Sequence, residues 1–318
     1  MVLPFLYGHA RAAQNVQDQA AFKNLSAGPH TFQVSVNGAN RRYVIHIPRT
    51  YNPAGNWPVV VVFHGAGGTA RSAMRDGWTA SADEENFLAV FPEGTSPHPS
   101  RPGRFLHNPQ TWNDGSGRLN IGAVERNVDD VGFVRALLDD LAARFALDRQ
   151  RIFVTGFSNG ASMSFRIGRE LSDRVAAIAP VAGADWAADP PKLGHPISLL
   201  YLTGTADPLN PIGGGEVKIG LKTFGTKPPT RDMIQRWAQA LGCPSEPKSR
   251  RDEGGVKAVG YGPCEQGSEV VAYTLEGHGH HWPGGESALP ESLAGRNATK
   301  LRATDVIWEF FKGHAKVD

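Results

Sequence analysis

Ser158 stands at the centre of Gly156-Phe157-Ser158-Asn159-Gly160, a Gly-x-Ser-x-Gly pattern. An apolar, β-branched run precedes it at 151–155, and a helix-like segment follows at 161–167. A strand, a tight strained turn and a helix in that order lift a serine hydroxyl above the edge of a sheet, with glycines where side chains would clash. The chemistry this offers is nucleophilic attack on an acyl carbon. A serine hydroxyl is a weak nucleophile at neutral pH, so it needs a base within hydrogen-bond reach and an acid that orients the base. In this kind of elbow the partners follow in the order serine, carboxylate, histidine, each just after a strand.

The carboxylate is found after the strand-like run 198–203, in Gly204-Thr205-Ala206-Asp207-Pro208. An aspartate before proline is by itself a common turn residue, and it is the place of Asp207 behind a strand that favours catalysis. The strand-like run 269–275 leads into Glu276-Gly277-His278-Gly279-His280-His281-Trp282-Pro283-Gly284-Gly285. Three histidines compete there for the role of base, and the residues alone leave the choice open. The cluster lacks helical His-x-x-x-His or Cys/His spacing and a nearby pair of carboxylates, so no metal and no cofactor is expected. Developing charge on the acyl oxygen calls for backbone donors. Val59-Val60-Val61-Val62-Phe63 reads as a strand buried on both faces and ends in His64-Gly65-Ala66-Gly67-Gly68. The N–H groups of Ala66 and Asn159 are expected to form the oxyanion hole, with His64 bracing the loop.

Together these segments resemble the polyhydroxybutyrate depolymerase and feruloyl esterase family of α/β-hydrolases, from about Phe32 to about Phe311. Val128-Asp129-Asp130-Val131-Gly132-Phe133, which opens a helix in that family, and Trp112-Asn113, its substrate-side loop, extend the resemblance. In that family the last motif reads Gly-Gly-Gly-His-x-Trp-Pro-Gly, and the histidine two before the tryptophan is the base. The resemblance therefore selects His280, with His278, which replaces a usual glycine, as the alternative. It also implies a disulfide between Cys243 and Cys264, the two cysteines of the chain, against the alternative of two buried thiols. The cysteine that the depolymerases often carry near the Trp112 position is absent, which bears more on the polyester substrate than on the mechanism.

These residues need a scaffold. Strands are expected near 31–37, 42–47, 59–63, 87–91, 152–156, 177–181, 198–203 and 269–275, and helices near 70–86, 125–145, 159–171, 231–241 and 302–313. That alternation predicts an α/β-hydrolase fold, a mostly parallel eight-stranded sheet flanked by helices. Its first two strands form an antiparallel hairpin across Asn37-Gly38-Ala39-Asn40. The 318 residues, 40% hydrophobic and without repeats, fit one catalytic domain over 26–318 after an N-terminal extension or signal remnant at 1–25. The Gly- and Pro-rich stretch 209–229 follows the acid and is expected to rim the site.

A net charge of +2 falls short of a nucleic-acid footprint, and no stretch is long enough to span a membrane. Neither nucleic acid nor membrane is expected as a partner. Local charge is more informative. Arg101 and Arg104, with Arg118 and Arg126, lie in the stretch 94–127, near the active-site face; they are either solubilising or a groove for an anionic chain. Trp112 and Trp282 are candidates for stacking on substrate, against ordinary packing. The function expected is a Ser-His-Asp hydrolase acting through an acyl-enzyme on a polymeric or small ester or amide. The resemblance and its disulfide imply a secreted or periplasmic depolymerase or esterase. The alternatives are cleavage of amide bonds in an anionic polymer such as poly(aspartic acid), a feruloyl or acetyl-xylan esterase, and an inactive polymer-binding module.

Overall fold

The computed structural model describes residues 25–104, 107–286, 289–298 and 300–317. The N-terminal extension foreseen for 1–25 lies outside these, apart from Leu25. The first hairpin pairs β1 (Gly28–Val36) with β2 (Ala39–Ile47) across Asn37 and Gly38, both at positive φ, the backbone that an Asn-Gly turn supplies with least strain. β3 (Trp57–Phe63) is buried at every position, as its unbroken apolar run requires. The chain then passes through the short helix α1 (Ala70–Ala73), a π-helical turn at Met74–Trp78 and α2 (Thr79–Glu85) into β4 (Leu88–Pro92). The expected helix 70–86 is thus interrupted, at Gly77, whose φ of 95° no helix accommodates.

After a one-turn helix at Gly122–Glu125, α3 (Asp130–Arg144) starts where the Asp129 side chain accepts the Gly132 N–H, an N-cap that answers one of the helix's unpaired amides. β5 (Leu147–Phe157), α4 (Asn159–Glu170), β6 (Ala177–Val181) and β7 (Ser198–Gly204) follow. A separate hairpin, β8 (Gly215–Ile219) with β9 (Lys222–Lys227), fills the stretch expected as a rim. The chain ends through α5 (Thr230–Ala240), β10 (Lys248–Glu253), β11 (Val256–Tyr261), β12 (Val270–Leu275) and α6 (Ala303–Lys312).

The main sheet has ten strands, in the order β1-β2-β4-β3-β5-β6-β7-β12-β11-β10. Its six central strands, β4 to β12, run parallel, and antiparallel strands flank them on both sides. All eight expected strands are present. The count is corrected to ten because β10 and β11 extend the sheet beyond β12. Alternate side chains face opposite layers: Val59, Val61 and Val154 join the core that α3, α4 and α5 share, while Val60 and Val62 join the opposite layer, in which Phe153 packs against Trp308 and Phe311 of α6. The six parallel strands leave the elbow, the acid turn and the histidine loop at the same edge of the sheet, after β5, β7 and β12, with β6 between the first two.

Candidate active site

Ser158 is the residue between β5 and α4, and its backbone sits at φ 56°, ψ −119°. That region costs a non-glycine residue on the order of 1–3 kcal/mol and persists only where the surroundings enforce it. Here the Ser158 N–H donates to Val181 O at 2.9 Å. Two residues on, Gly160 lies so close to the end of β3 that a Cβ would meet the carbonyl oxygens of Phe63 and His64 at 2.4 and 2.5 Å. The elbow is wedged between two strands, and any side chain at Gly160 would push it off.

His280 Nε2 lies 2.9 Å from Ser158 Oγ and His280 Nδ1 lies 2.8 Å from Asp207 Oδ2. An ionised carboxylate only accepts, so Nδ1 carries the proton and Nε2 is left to accept from the serine hydroxyl. The other carboxylate oxygen, Oδ1, accepts the N–H groups of Leu209 and Asn210, both at 2.8 Å. Asp207 and His280 are buried, while Ser158 is half-buried. The two loops are stitched together: Ala206 N–H donates to His278 O at 3.0 Å, and a Cβ at Gly204 would stand 2.0 Å from that same carbonyl.

The competing histidines have other places. His278 sets its ring nitrogens against the carbonyls of Ala298 and His281, and His281 sets Nε2 against Gly295 O. Both brace the loop that carries His280. His64, buried at the end of β3, accepts the Gly94 N–H at Nε2 (3.0 Å) and so donates through Nδ1 to Gly65 O (2.8 Å). Burial pushes its pKa down to about 4, which keeps the ring neutral in that tautomer. Ala66 therefore sits in a loop pinned at Gly65, at Gly67, whose N–H donates to Gln110 O, and at Gly68. Gly65 comes within 3.4 Å of Ser158 Cβ, measured from an added Cβ. Asn159 occupies the first position of α4, where a backbone N–H has no partner within the helix.

The Asn159 side chain does work that its sequence position does not advertise. Its Oδ1 accepts the Trp112 N–H at 2.8 Å, and its Nδ2 donates to Trp112 O and to Asp114 Oδ2. Asp114 in turn pairs with Arg118, whose guanidinium lies 3.8 Å from the Trp186 ring centroid. Asn113 is tied to the start of α3 through Asp130, which accepts its N–H and is itself paired with buried Arg41.

Two expectations are corrected. Trp112 and Trp282 do not offer a stacking face, since they are 0% and 3% exposed. Trp112 packs edge-on against Phe63 and donates its indole N–H to His64 O at 2.9 Å. Trp282 packs on Trp78 and donates to Thr304 Oγ1. Half-buried Phe157, within the Gly-x-Ser-x-Gly motif, sets its ring 4.8 Å from the His280 ring, and half-buried Trp186 donates its indole N–H to Ser162 Oγ on α4. Arg101 and Arg104 are exposed on the loop that joins β4 to the Trp112 segment. Cys243 and Cys264 are bonded to each other.

A parallel sheet with a serine at a strained strand-to-helix elbow defines an α/β-hydrolase. The chain belongs to the Phospholipase/Carboxylesterase family, which it matches over residues 51–218. It is a hydrolase of the esterase and depolymerase type. It is 28% identical over 303 residues to NocK of Nocardia uniformis subsp. tsuyamanensis, named as an esterase on provisional grounds, covering 88% of this chain and 82% of that one. Feruloyl esterase D of Neurospora crassa is 25% identical over 284 residues, 88% of this chain and 84% of the relative. Poly(3-hydroxyalkanoate) depolymerase C of Paucimonas lemoignei is 28% identical over 150 residues, 47% of this chain and 33% of the relative. Among solved structures, the acetyl xylan esterase from Aspergillus awamori shares the fold, with a TM-score of 0.56 at 15% identity over 89% of this chain and 99% of that one. Among the described residues no helix is long and apolar enough to cross a membrane.

Proposed function

We propose that Ser158, His280 and Asp207 are the catalytic triad of an exported serine hydrolase, with 26–318 as its single catalytic domain and a polymer ester as its substrate. The observation that carries this reading is the His280 ring, within hydrogen-bond reach of Ser158 on one side and of Asp207 on the other. His280 takes the Ser158 proton as the oxygen attacks the ester carbonyl, and Asp207 holds the resulting imidazolium in place. The N–H groups of Ala66 and Asn159 receive the oxyanion. The alkoxide leaves with the proton from His280; water, deprotonated by the same ring, then releases the acid from the acyl-enzyme. Export is supported by the disulfide, since such bonds persist in oxidising compartments. An aliphatic polyester of the hydroxyalkanoate kind is favoured by the depolymerase relative, and a feruloyl or acetyl sugar ester by the esterases.

A second reading has its own observation. The side chains of Arg101 and Arg104 are exposed and make no ion pair with a carboxylate among the described residues, as a groove for an anionic chain such as poly(aspartic acid) would require. One experiment addresses both readings: turnover of poly(3-hydroxybutyrate), a feruloyl or acetyl sugar ester and poly(aspartic acid), at low and high salt. Ser158→Ala serves as the blank and is expected to lower kcat/KM at least ~10⁴-fold. Residual turnover within tenfold of the parent would remove the serine from the mechanism. Binding of polymer by a parent enzyme that turns over none of the three substrates and leaves a covalent serine probe unreacted would point instead to a silent binding module.

A further inference from the structure

Lys227, the last residue of β9, is 1% exposed, and a buried lysine is costly unless its ammonium is satisfied. Its Nζ donates to Pro211 O and Pro228 O at 3.1 Å and to Thr230 Oγ1 at 3.0 Å. All three partners are neutral. Burial pushes its pKa down to about 8, and the carboxylate of Asp207 opposes that shift. The side chain is therefore mainly charged at neutral pH, and its contacts reach Asp207 through the 207–211 turn and not through His280.

Those contacts are continuous. Pro211 follows Asn210, whose N–H holds Asp207 Oδ1 and whose side chain donates to Tyr201 Oη and Thr203 Oγ1. Tyr201 Oη donates onward to Gly183 O, on the segment after β6. Thr230 N–H returns to Ile212 O. The ammonium thus staples the acid turn to the start of α5. The other titratable groups on the elements around it are Tyr201 on β7, held protonated by burial; Glu216, Lys218, Lys222, Arg231 and Asp232, all in solvent; half-buried Arg236 on α5, which donates to Ala187 O; and Arg118, paired with Asp114, whose stem lies against Gly225 of β9.

We propose that Lys227 is a positioning residue of the hydrolase: its buried ammonium fixes the 207–211 turn and balances the charge of Asp207. This rests on the triad assigned above. The balance has a definite sign. A positive charge coupled to Asp207 disfavours the imidazolium, so its loss makes His280 easier to protonate and moves the acid limb of kcat/KM to higher pH.

The test compares wild type, Lys227→Gln, Lys227→Met and Lys227→Arg on 4-nitrophenyl butyrate from pH 5 to 9. Lys227→Gln keeps a donor for the carbonyls and loses the charge; its acid limb is expected to rise by about 0.5–1 unit, while Lys227→Arg leaves the limb in place. Lys227→Met, which loses the staple as well, is expected to add a fall in kcat of about tenfold with KM little changed. Folded neutral variants with an unmoved limb and full kcat would overturn the proposal. A second measurement needs no change at Lys227: ¹⁵N detection of the Lys227 ammonium in wild type and Asp207→Asn. Removing the carboxylate is expected to lower the pH at which Lys227 titrates by about half a unit or more, and an identical titration in the two proteins would also overturn it. Ser158→Ala separates the two failures, since a serine variant that still turns over ester would sink the triad while leaving the ammonium titration intact.

Discussion

Asp207 divides its two carboxylate oxygens between tasks, Oδ1 taking the Leu209 and Asn210 amides and Oδ2 taking the His280 ring. An asparagine there keeps the shape. Its carbonyl oxygen would stay with the two amides, so its NH₂ would face Nδ1 and force the ring into the wrong tautomer. Asp207→Asn is therefore expected to lower kcat about 10⁴-fold with KM little changed, checked on any small ester; a loss under tenfold would dismiss the carboxylate from catalysis. His64 makes a prediction about stability instead. Its ring stays neutral down to about pH 4 in the folded protein, whereas in an unfolded chain it takes a proton near 6.5. The unfolded state therefore binds the extra proton first, and folding weakens as the pH falls from about 6.5 to 4, by up to about 3 kcal/mol. His64→Gln, which retains a donor and an acceptor, removes that dependence. Urea unfolding at pH 7.5 and 4.5 should show wild type losing about 2 to 3 kcal/mol more than the variant across the interval, and equal losses would exclude His64 as the source.

Elements divide into those legible in the sequence and those that only tertiary structure could supply. The central strands were legible because a strand buried on both faces must be continuously apolar, as 59–63 and 198–203 are. The elbow and the acid turn were legible because each ends such a strand, and the histidine loop because its motif follows the half-buried run of β12. β10 was not, since five of its six residues are charged and all six are exposed. Nothing in Lys248–Glu253 alternates; it is a strand because β11 offers it an edge. The site's supports were hidden for a related reason. Asn159, Asn210 and Lys227 find their partners through loops that the sequence leaves unplaced, and burial of Trp112 and Trp282 depends on Phe63 and Trp78, far away along the chain. The Cys243–Cys264 bond joins the end of α5 to the connection between β11 and β12, 21 residues on. Closing a loop of that length restricts the unfolded chain, so the double substitution Cys243→Ser with Cys264→Ser is expected to lower the unfolding free energy by about 3 kcal/mol. A reductant should do the same to wild type and nothing to the variant; a variant as stable as wild type would contradict this.

The molecule as a whole is close to electrically neutral, at +2, so a strong salt effect on turnover has to come from a local patch. Screening shortens from about 10 Å at 0.1 M salt to about 3 Å at 1 M, enough to weaken capture of an anionic chain by Arg101 and Arg104 while sparing the contact between buried His280 and Asp207. Salt-sensitive cleavage confined to poly(aspartic acid) would make those arginines the specificity element, and salt-insensitive ester cleavage would leave them to solvent. An open sheet edge is a hazard for any chain, since a neighbouring copy can add a strand to it. The charged outer strand β10 meets that hazard directly. Arg250 is tethered to Glu269, and Arg251, Asp252 and Glu253 stand in water, so a neighbouring copy that tried to add its own strand would have to strip hydration from this row of charges. The same six residues that hid the strand from sequence reading thus guard the fold against growing into a fibre.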